Sequence, residues 1–146
     1  MHSKRKGNIG QFAVGLALTK LGYSVFTEEG DISKIDIIAE KDGKLIKIQS
    51  KAITPTNGCI KIPLKKSGPN YEFHYDPDMF DYFGAYDLEE DKVYLVPSSI
   101  LKENNTLFNL RKEEPKNKQK NGINVASDYE IEKVLGSWQF WSFGVE

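Results

Sequence analysis

The sequence predicts a mixed α/β fold, with one helix ahead of a mixed β-sheet, on three observations. Near the N-terminus Ile9, Phe12, Ala13, Leu16, Ala17 and Leu21 recur at three- and four-residue spacing, the period of a helix with one apolar face. Two later segments, "KIDIIAEKDGKLIKIQSK" (34–51) and "DYFGAYDLEEDKVYLVP" (81–97), read as β-hairpins, with turn residues between β-prone runs.

The elements then follow in order. Gly22 stands where the first helix should stop, since glycine tolerates the backbone of a C-terminal cap. "YSVF" (23–26) is a short strand and "TEEGDISK" (27–34) a loop. The first hairpin turns on Asp42-Gly43, a pair that suits the positive φ angles of a two-residue turn. "TPTNG" (54–58) is a turn leading to a strand around Cys59–Leu64. "KKSGPN" (65–70) is expected as a loop, and "YEFHYDPDMF" (71–80) as extended stretches around a proline turn. "LEED" turns the second hairpin, which ends at Pro97; "SSILKE" adds a helical turn and "TLFNLR" (106–111) a strand. "KEEPKNKQKNG" (112–122) is a charged loop. In "SDYEIEKVL" (127–135), Ser127 and Glu130 have the spacing of a capping box, so a helix starting at Ser127 is expected. Residues 136–146 form an aromatic tail carrying Trp138, Phe140, Trp141 and Phe143.

A chain of 146 residues is taken as a single domain, 1–146, able to bury its own core. Its apolar fraction of 39% and charged fraction of 28% belong to a soluble globular protein rather than a disordered one. No apolar run approaches the ~20 residues of a spanning helix, and the N-terminus lacks an apolar signal segment, so no membrane partner is expected. Cys59 is the only cysteine, which excludes an internal disulfide and a Cys-rich zinc site and fits the cytoplasm. It is expected as a small core residue, and His2 and His74 as structural or disordered groups, since neither histidine has a partner at telling spacing. The net charge of −1 excludes a polycation, yet bases gather in "SKRK", "KIPLKK" and "RKEEPKNKQK".

The first hairpin places polar groups together. With Asp42-Gly43 as the turn, facing residues sum to 85, which sets Asp36 opposite Gln49, with Lys51 diagonal to them on the same face. Ile35, Ile37, Ala39, Ile46 and Ile48 make the opposite, apolar face. An acid facing an amide with a lysine beside them suits phosphodiester hydrolysis. Asp36 would hold a hard cation such as Mg²⁺, Gln49 would add a neutral oxygen or position water, and Lys51 would stabilise developing charge. Ordinary polar residues on a wet face are the bland alternative, and the spacing alone does not exclude it.

Taken with "KGNIGQFAVGLALTKLGYSVF", "GDISKIDIIAEKDGKLIKIQSK", "DYFGAYDLEEDKVYLVP" and "KNGINVASDYE" in this order, the chain resembles PD-(D/E)XK endonucleases of the group I intron homing type over residues 6–135. The resemblance implies a restriction-endonuclease-like core, a mixed central sheet flanked by helices. It implies that Asp36 is the signature metal-binding aspartate and Lys51 the signature lysine. Gln49 takes the (D/E) position, and the Ser50 carbonyl is the backbone oxygen given to the metal. Gln11 falls where the family pattern has Glu, so the metal site loses one negative charge and reduced activity is expected.

The resemblance further implies Mg²⁺ as cofactor, with Ca²⁺ as a non-catalytic substitute. It implies sequence-specific double-stranded DNA as substrate. Cutting both strands needs two sites, so a homodimer or homotetramer is expected, with the aromatic tail and the Tyr/Phe-rich stretch 71–86 as contact candidates. Lys61, Lys65 and Lys66, on a β-ribbon, are expected to read the major groove. Lys4, Arg5, Lys6, Arg111, Lys112, Lys116, Lys118 and Lys120 are expected at phosphates, against the alternative of plain solvated lysines. Two other readings use the same residues: a Holliday-junction resolvase, which would prefer branched DNA, and a catalytically inactive DNA-binding or assembly module, which the neutral Gln11 and Gln49 favour.

Overall fold

Helix α1 (Ser3–Lys20) forms where its periodicity predicts, and Ala13, Ala17 and Leu21 of the expected stripe pack against the core, but the helix is rotated so that the stripe is only partly covered. Gly10, Val14 and Leu18 point inward, while Phe12 and Leu16 are 72% and 56% exposed. Gly10 decides this: a Cβ at that position would lie 2.7 Å from the Ala52 amide nitrogen, so glycine alone lets the helix approach the sheet so closely. At about 100° per residue, positions 12 and 16 then turn to the far side. The computed structural model describes residues 1–30, 32–33, 35–68, 71–74, 76–102, 107–113 and 122–136.

Strands β1 (Ser24–Phe26), β2 (Ile37–Lys41) and β3 (Lys44–Ile53) follow, then β4 (Cys59–Pro63), β5 (Lys65–Gly68) and β6 (Tyr71–His74). The second hairpin is β7 (Tyr82–Asp87) and β8 (Lys92–Pro97), with helical turn α2 (Ser98–Leu101) and strand β9 (Leu107–Arg111) after it. The central sheet has the order β1-β2-β3-β7-β8. Its pairs are antiparallel except β3 with β7, so the sheet is mixed, as expected.

Each face of this sheet carries a core. On the α1 face, Val14 and Leu18 meet Ile37, Ile46, Ile48 and Leu95, closed at one end by Ile131 and Leu135. On the other, the β4–β9 ribbon lays Ile60, Ile62, Phe108 and Leu110 over Ile53, Phe83, Ala85 and Val96. Alternation along β3 distributes its residues between these layers.

Two local expectations are corrected. Lys65–Gly68, expected within a loop, is a strand paired with Tyr71–His74. The helix expected from Ser127 does not form; Ala126–Tyr129 is a 3₁₀ turn and Glu132–Gly136 a π-helical turn. Between them Glu130 is held extended by a bridge to Tyr94. Tyr129 sets its ring edge-on to Phe108 at 6.3 Å, and Ile131 is fully buried. These contacts outweigh the capping pattern, which is worth only about 1 kcal/mol. Among the described residues no helix is long and apolar enough to cross a membrane. The aromatic tail beyond Gly136 lies outside the described residues.

Candidate active site

The first hairpin has the turn its sequence predicts: Asp42 and Gly43 have φ of 53° and 81°, and Lys41 pairs with Lys44. The ladder keeps the predicted register only as far as Ile37 opposite Ile48. Asp36 is therefore not paired with Gln49, as the register rule expected. In a continued ladder the Ser50 amide would meet the Ile35 carbonyl. Instead the Asp36 carboxylate takes it: Oδ2 accepts from the Ser50 N–H at 2.8 Å and the Ser50 hydroxyl at 3.1 Å. The Asp36 N–H donates to the Ile48 carbonyl at 3.1 Å, and the Ile35 carbonyl accepts from Ser33 Oγ. An acid side chain thus ends the strand by replacing a backbone acceptor. Hydrogen bonds to a charged group of this kind are worth roughly 1.5–3 kcal/mol each. Sequence reasoning assigned Ser50 only a carbonyl role and missed its amide and hydroxyl.

Where β2 stops, β3 runs on beside the first half of α1 and leaves a cavity of about 670 Å³. Its lining includes Asp36, Gln49 and Ser50 from the hairpin, and Gln11, Asn8 and Lys4 from the helix. Four residues predicted for catalysis or metal binding, Gln11, Asp36, Gln49 and Ser50, therefore share one cavity with Lys4, predicted at phosphate. Gly10 packs the helix onto β3 beside Lys51 and Ala52, and Gln11 follows it into the lining. Lys51 is half-buried on β3 and is not among the lining residues. Glu28, from the loop after β1, also lines the cavity and was not singled out from the sequence. Its pKa is held below the usual carboxylate range, chiefly by hydrogen bonding to Ser33, whose N–H lies 2.8 Å from Oε2.

The donors in this cavity suit a hard divalent cation. Gln49 Oε1 is buried and has no hydrogen-bond partner among the described residues, a costly state for a carbonyl oxygen unless a ligand completes it. With the Asp36 carboxylate and the Gln11 amide it offers oxygen rather than nitrogen or sulfur, as Mg²⁺ prefers. Among the described residues no three His, Cys, Asp or Glu side chains cluster tightly enough to form a metal centre alone.

The basic residues expected at DNA divide into groups. Lys4 and Arg5 are exposed and Lys6 half-buried on the first turn of α1. His2 caps that turn, its Nδ1 accepting from the Lys4 N–H, which bears out its structural reading. Lys61 is exposed on β4 opposite Asn109. Lys65 and Lys66 lie on the separate two-stranded β5–β6 ribbon. Arg111 Nε donates to the Glu113 carbonyl at 3.1 Å. Lys116, Lys118 and Lys120 lie outside the described residues.

Lys112 departs from its phosphate expectation. Its ammonium lies 2.8 Å from Asp87 Oδ2 and 2.7 Å from Glu90 Oε1, with Asp87 fully buried. Burial alone would lower the Lys112 pKa, but these carboxylates outweigh it and hold the ammonium well above its ordinary range. A phosphate would have to displace both. This clamp, missed from the sequence, ties the end of β9 to the β7–β8 turn.

Residues 1–132 match the PD-(D/E)XK endonuclease family, and the chain belongs to that family. It is accordingly a nuclease, of a family that acts on DNA and generally uses divalent metal ions. Among solved structures it is similar to a bacterial homing endonuclease, I-Ssp6803I, with a TM-score of 0.75 at 19% identity over 97% of each chain. That likeness establishes the expected fold. No curated protein matches the chain in sequence.

Proposed function

We propose that this chain is a sequence-specific endonuclease of homing type that hydrolyses double-stranded DNA with Mg²⁺. The observation that carries the reading is the Ser50-anchored Asp36 carboxylate in one cavity with Gln11 and Gln49. Asp36, Gln49, Gln11 and the Ser50 carbonyl would hold the cation. When bound, the cation supplies Lewis-acid stabilisation of the phosphate and acidifies water. Asp36 enters this role pre-oriented, since Ser50 fixes its carboxylate before any ligand arrives. Gln49 contributes a neutral oxygen, so it adds no negative charge to repel the phosphate. Lys51, two residues along β3, is assigned to meet charge developing on the phosphate as its bond to the leaving oxygen breaks.

For DNA, the β5–β6 ribbon with Lys65, Lys66 and neighbouring Lys61 is assigned to the major groove, which admits a two-stranded ribbon. Lys4, Arg5 and Lys6 are assigned to phosphates beside the cavity. We take the working unit to be a homodimer or homotetramer in the cytoplasm, since one copy of the proposed site faces two strands that must be cut.

The test is cleavage of duplex DNA carrying the target, selected from a randomised library, with and without Mg²⁺. Cleavage that needs Mg²⁺ and falls by at least about a thousandfold in Asp36→Ala is expected. Tight, specific binding with no cleavage by the unaltered chain would instead establish the inactive-module reading, which the neutral Gln11 and Gln49 support.

A further inference from the structure

Gln11 and Gln49 are both neutral, which leaves Asp36 as the only carboxylate among the four residues predicted for catalysis or metal binding that share the cavity. The cavity lining holds one more, Glu28, and a single base, Lys4, so its formal charge is −1 rather than zero. Glu28 and Asp36 are tied through one residue. Ser33 donates its N–H to Glu28 Oε2 at 2.8 Å and its hydroxyl to the carbonyl of Ile35, the residue before Asp36, at 3.1 Å. Ser33 thus links Glu28 to the residue before Asp36, and Glu28 and Asp36 line the same space. Gln49 lines the same space, and its amide oxygen is buried with no hydrogen-bond partner among the described residues. The cavity volume of about 670 Å³ accommodates a hydrated cation beside a phosphate, given roughly 30 Å³ per water.

We propose that Glu28 supplies the second carboxylate of the cation site, from the loop, in place of the charge that Gln11 does not carry. The inference rests on the divalent-cation reading above. Hydrogen bonding from Ser33 shifts the Glu28 pKa downward, the direction that favours an anionic ligand. Mg²⁺ sites are typically built from one or two carboxylates with waters and substrate phosphate, and Asp36 with Glu28 completes that set.

The test is calorimetric titration of Ca²⁺ into the full chain bound to its duplex, so that binding is read without turnover. Glu28→Gln keeps an acceptor for the Ser33 N–H and removes only the charge. It is expected to weaken Ca²⁺ binding by at least about tenfold, the loss that outer-shell partners alone can cause. Its melting temperature should stay at the unaltered value, and Gln11→Glu added to Glu28→Gln should restore most of the affinity. Wild-type Ca²⁺ affinity in Glu28→Gln, with loss in Asp36→Asn, overturns the proposal and leaves Glu28 a loop latch. Undiminished binding in both variants, or none by the unaltered complex, overturns the cation-site reading as well.

Discussion

At Gln11 helix α1 presents an amide where a carboxylate would add a negative charge to the cavity. With Glu28 already contributing one, the effect of restoring an acid at position 11 depends on background. Gln11→Glu is expected to raise cleavage at limiting Mg²⁺ roughly tenfold, with little change at saturating Mg²⁺. The gain should be larger when Glu28 is replaced by Gln, because two groups serving one ion are not additive. Initial rates over a Mg²⁺ titration, with a double-mutant cycle on positions 11 and 28, read both effects. Equal rates for the unaltered chain and Gln11→Glu at every Mg²⁺ concentration would remove Gln11 from the site. Lys112 makes a different residue-scale prediction. Lys112→Met leaves the fully buried Asp87 without its cation, so a loss of about 3–5 kcal/mol is expected in urea unfolding. DNA affinity should be unaltered under conditions where the variant is folded.

Among elements, the contact of α1 with β3 sets the cavity's floor, and it depends on one missing methyl. Gly10→Ala pushes a Cβ to within 2.7 Å of the Ala52 amide, which is backbone and cannot swing away. Overpacking of this kind costs about 1–3 kcal/mol, and the helix must lift, taking Gln11 with it. Lower stability together with weaker Ca²⁺ binding is expected; lower stability alone would mean that the helix relaxes without moving the site. The β7–β8 end adds a pH dependence. Tyr94 is pushed up to about 12, first by burial and then by Asp87, and Lys112 is also raised. Both folded-state values lie above the ordinary value near 10, so their contribution is complete below about pH 10. It is lost as pH rises through the folded values, and stability measured from pH 9 to 12 should fall steadily above about 10.

These elements also show what a linear sequence reveals. The Asp42-Gly43 hairpin was legible because turn chemistry and strand alternation are local, and the family pattern assigned Asp36, Gln49 and Gln11 to one site, although the register that paired Asp36 with Gln49 stops at Ile37. The end of β2 was not legible, since it depends on a side chain displacing a backbone acceptor. Nor was the buried face of α1: the spacing of Phe12 and Leu16 marks apolar residues, while burial follows the close approach at Gly10. Glu28 and the Asp87–Lys112 pair were missed for the same reason. Each acts on residues or a space that the fold brings together across separate elements, and nothing in its own neighbourhood of sequence marks it.

For the molecule as a whole, the proposed site, with its single Asp36, meets a duplex with two strands. A monomer would have to release nicked DNA, reverse its orientation and bind again, so nicked circles would accumulate before linear DNA. A two-fold assembly presents two cavities related by the same symmetry as the antiparallel backbones, and converts supercoiled plasmid to linear form in one encounter. The exposed bases argue for the second course. Lys4 and Arg5 lie on α1 and Lys61 on β4, in a chain whose net charge of −1 gives one copy little bulk attraction for phosphate. Doubling the chain doubles the phosphate contacts on one duplex, and binding should then weaken steeply with salt, by about 0.9 log unit per neutralised phosphate for each log unit of salt. Sedimentation of the chain with its duplex is therefore expected to show at least two protomers per DNA, and plasmid cleavage little nicked intermediate at low salt. Raising the salt, or diluting the protein below its assembly constant, should make nicked circles appear while Mg²⁺ dependence is unchanged. A one-to-one complex that cuts both strands without a nicked intermediate would refute the assembly and require a second catalytic centre within the chain.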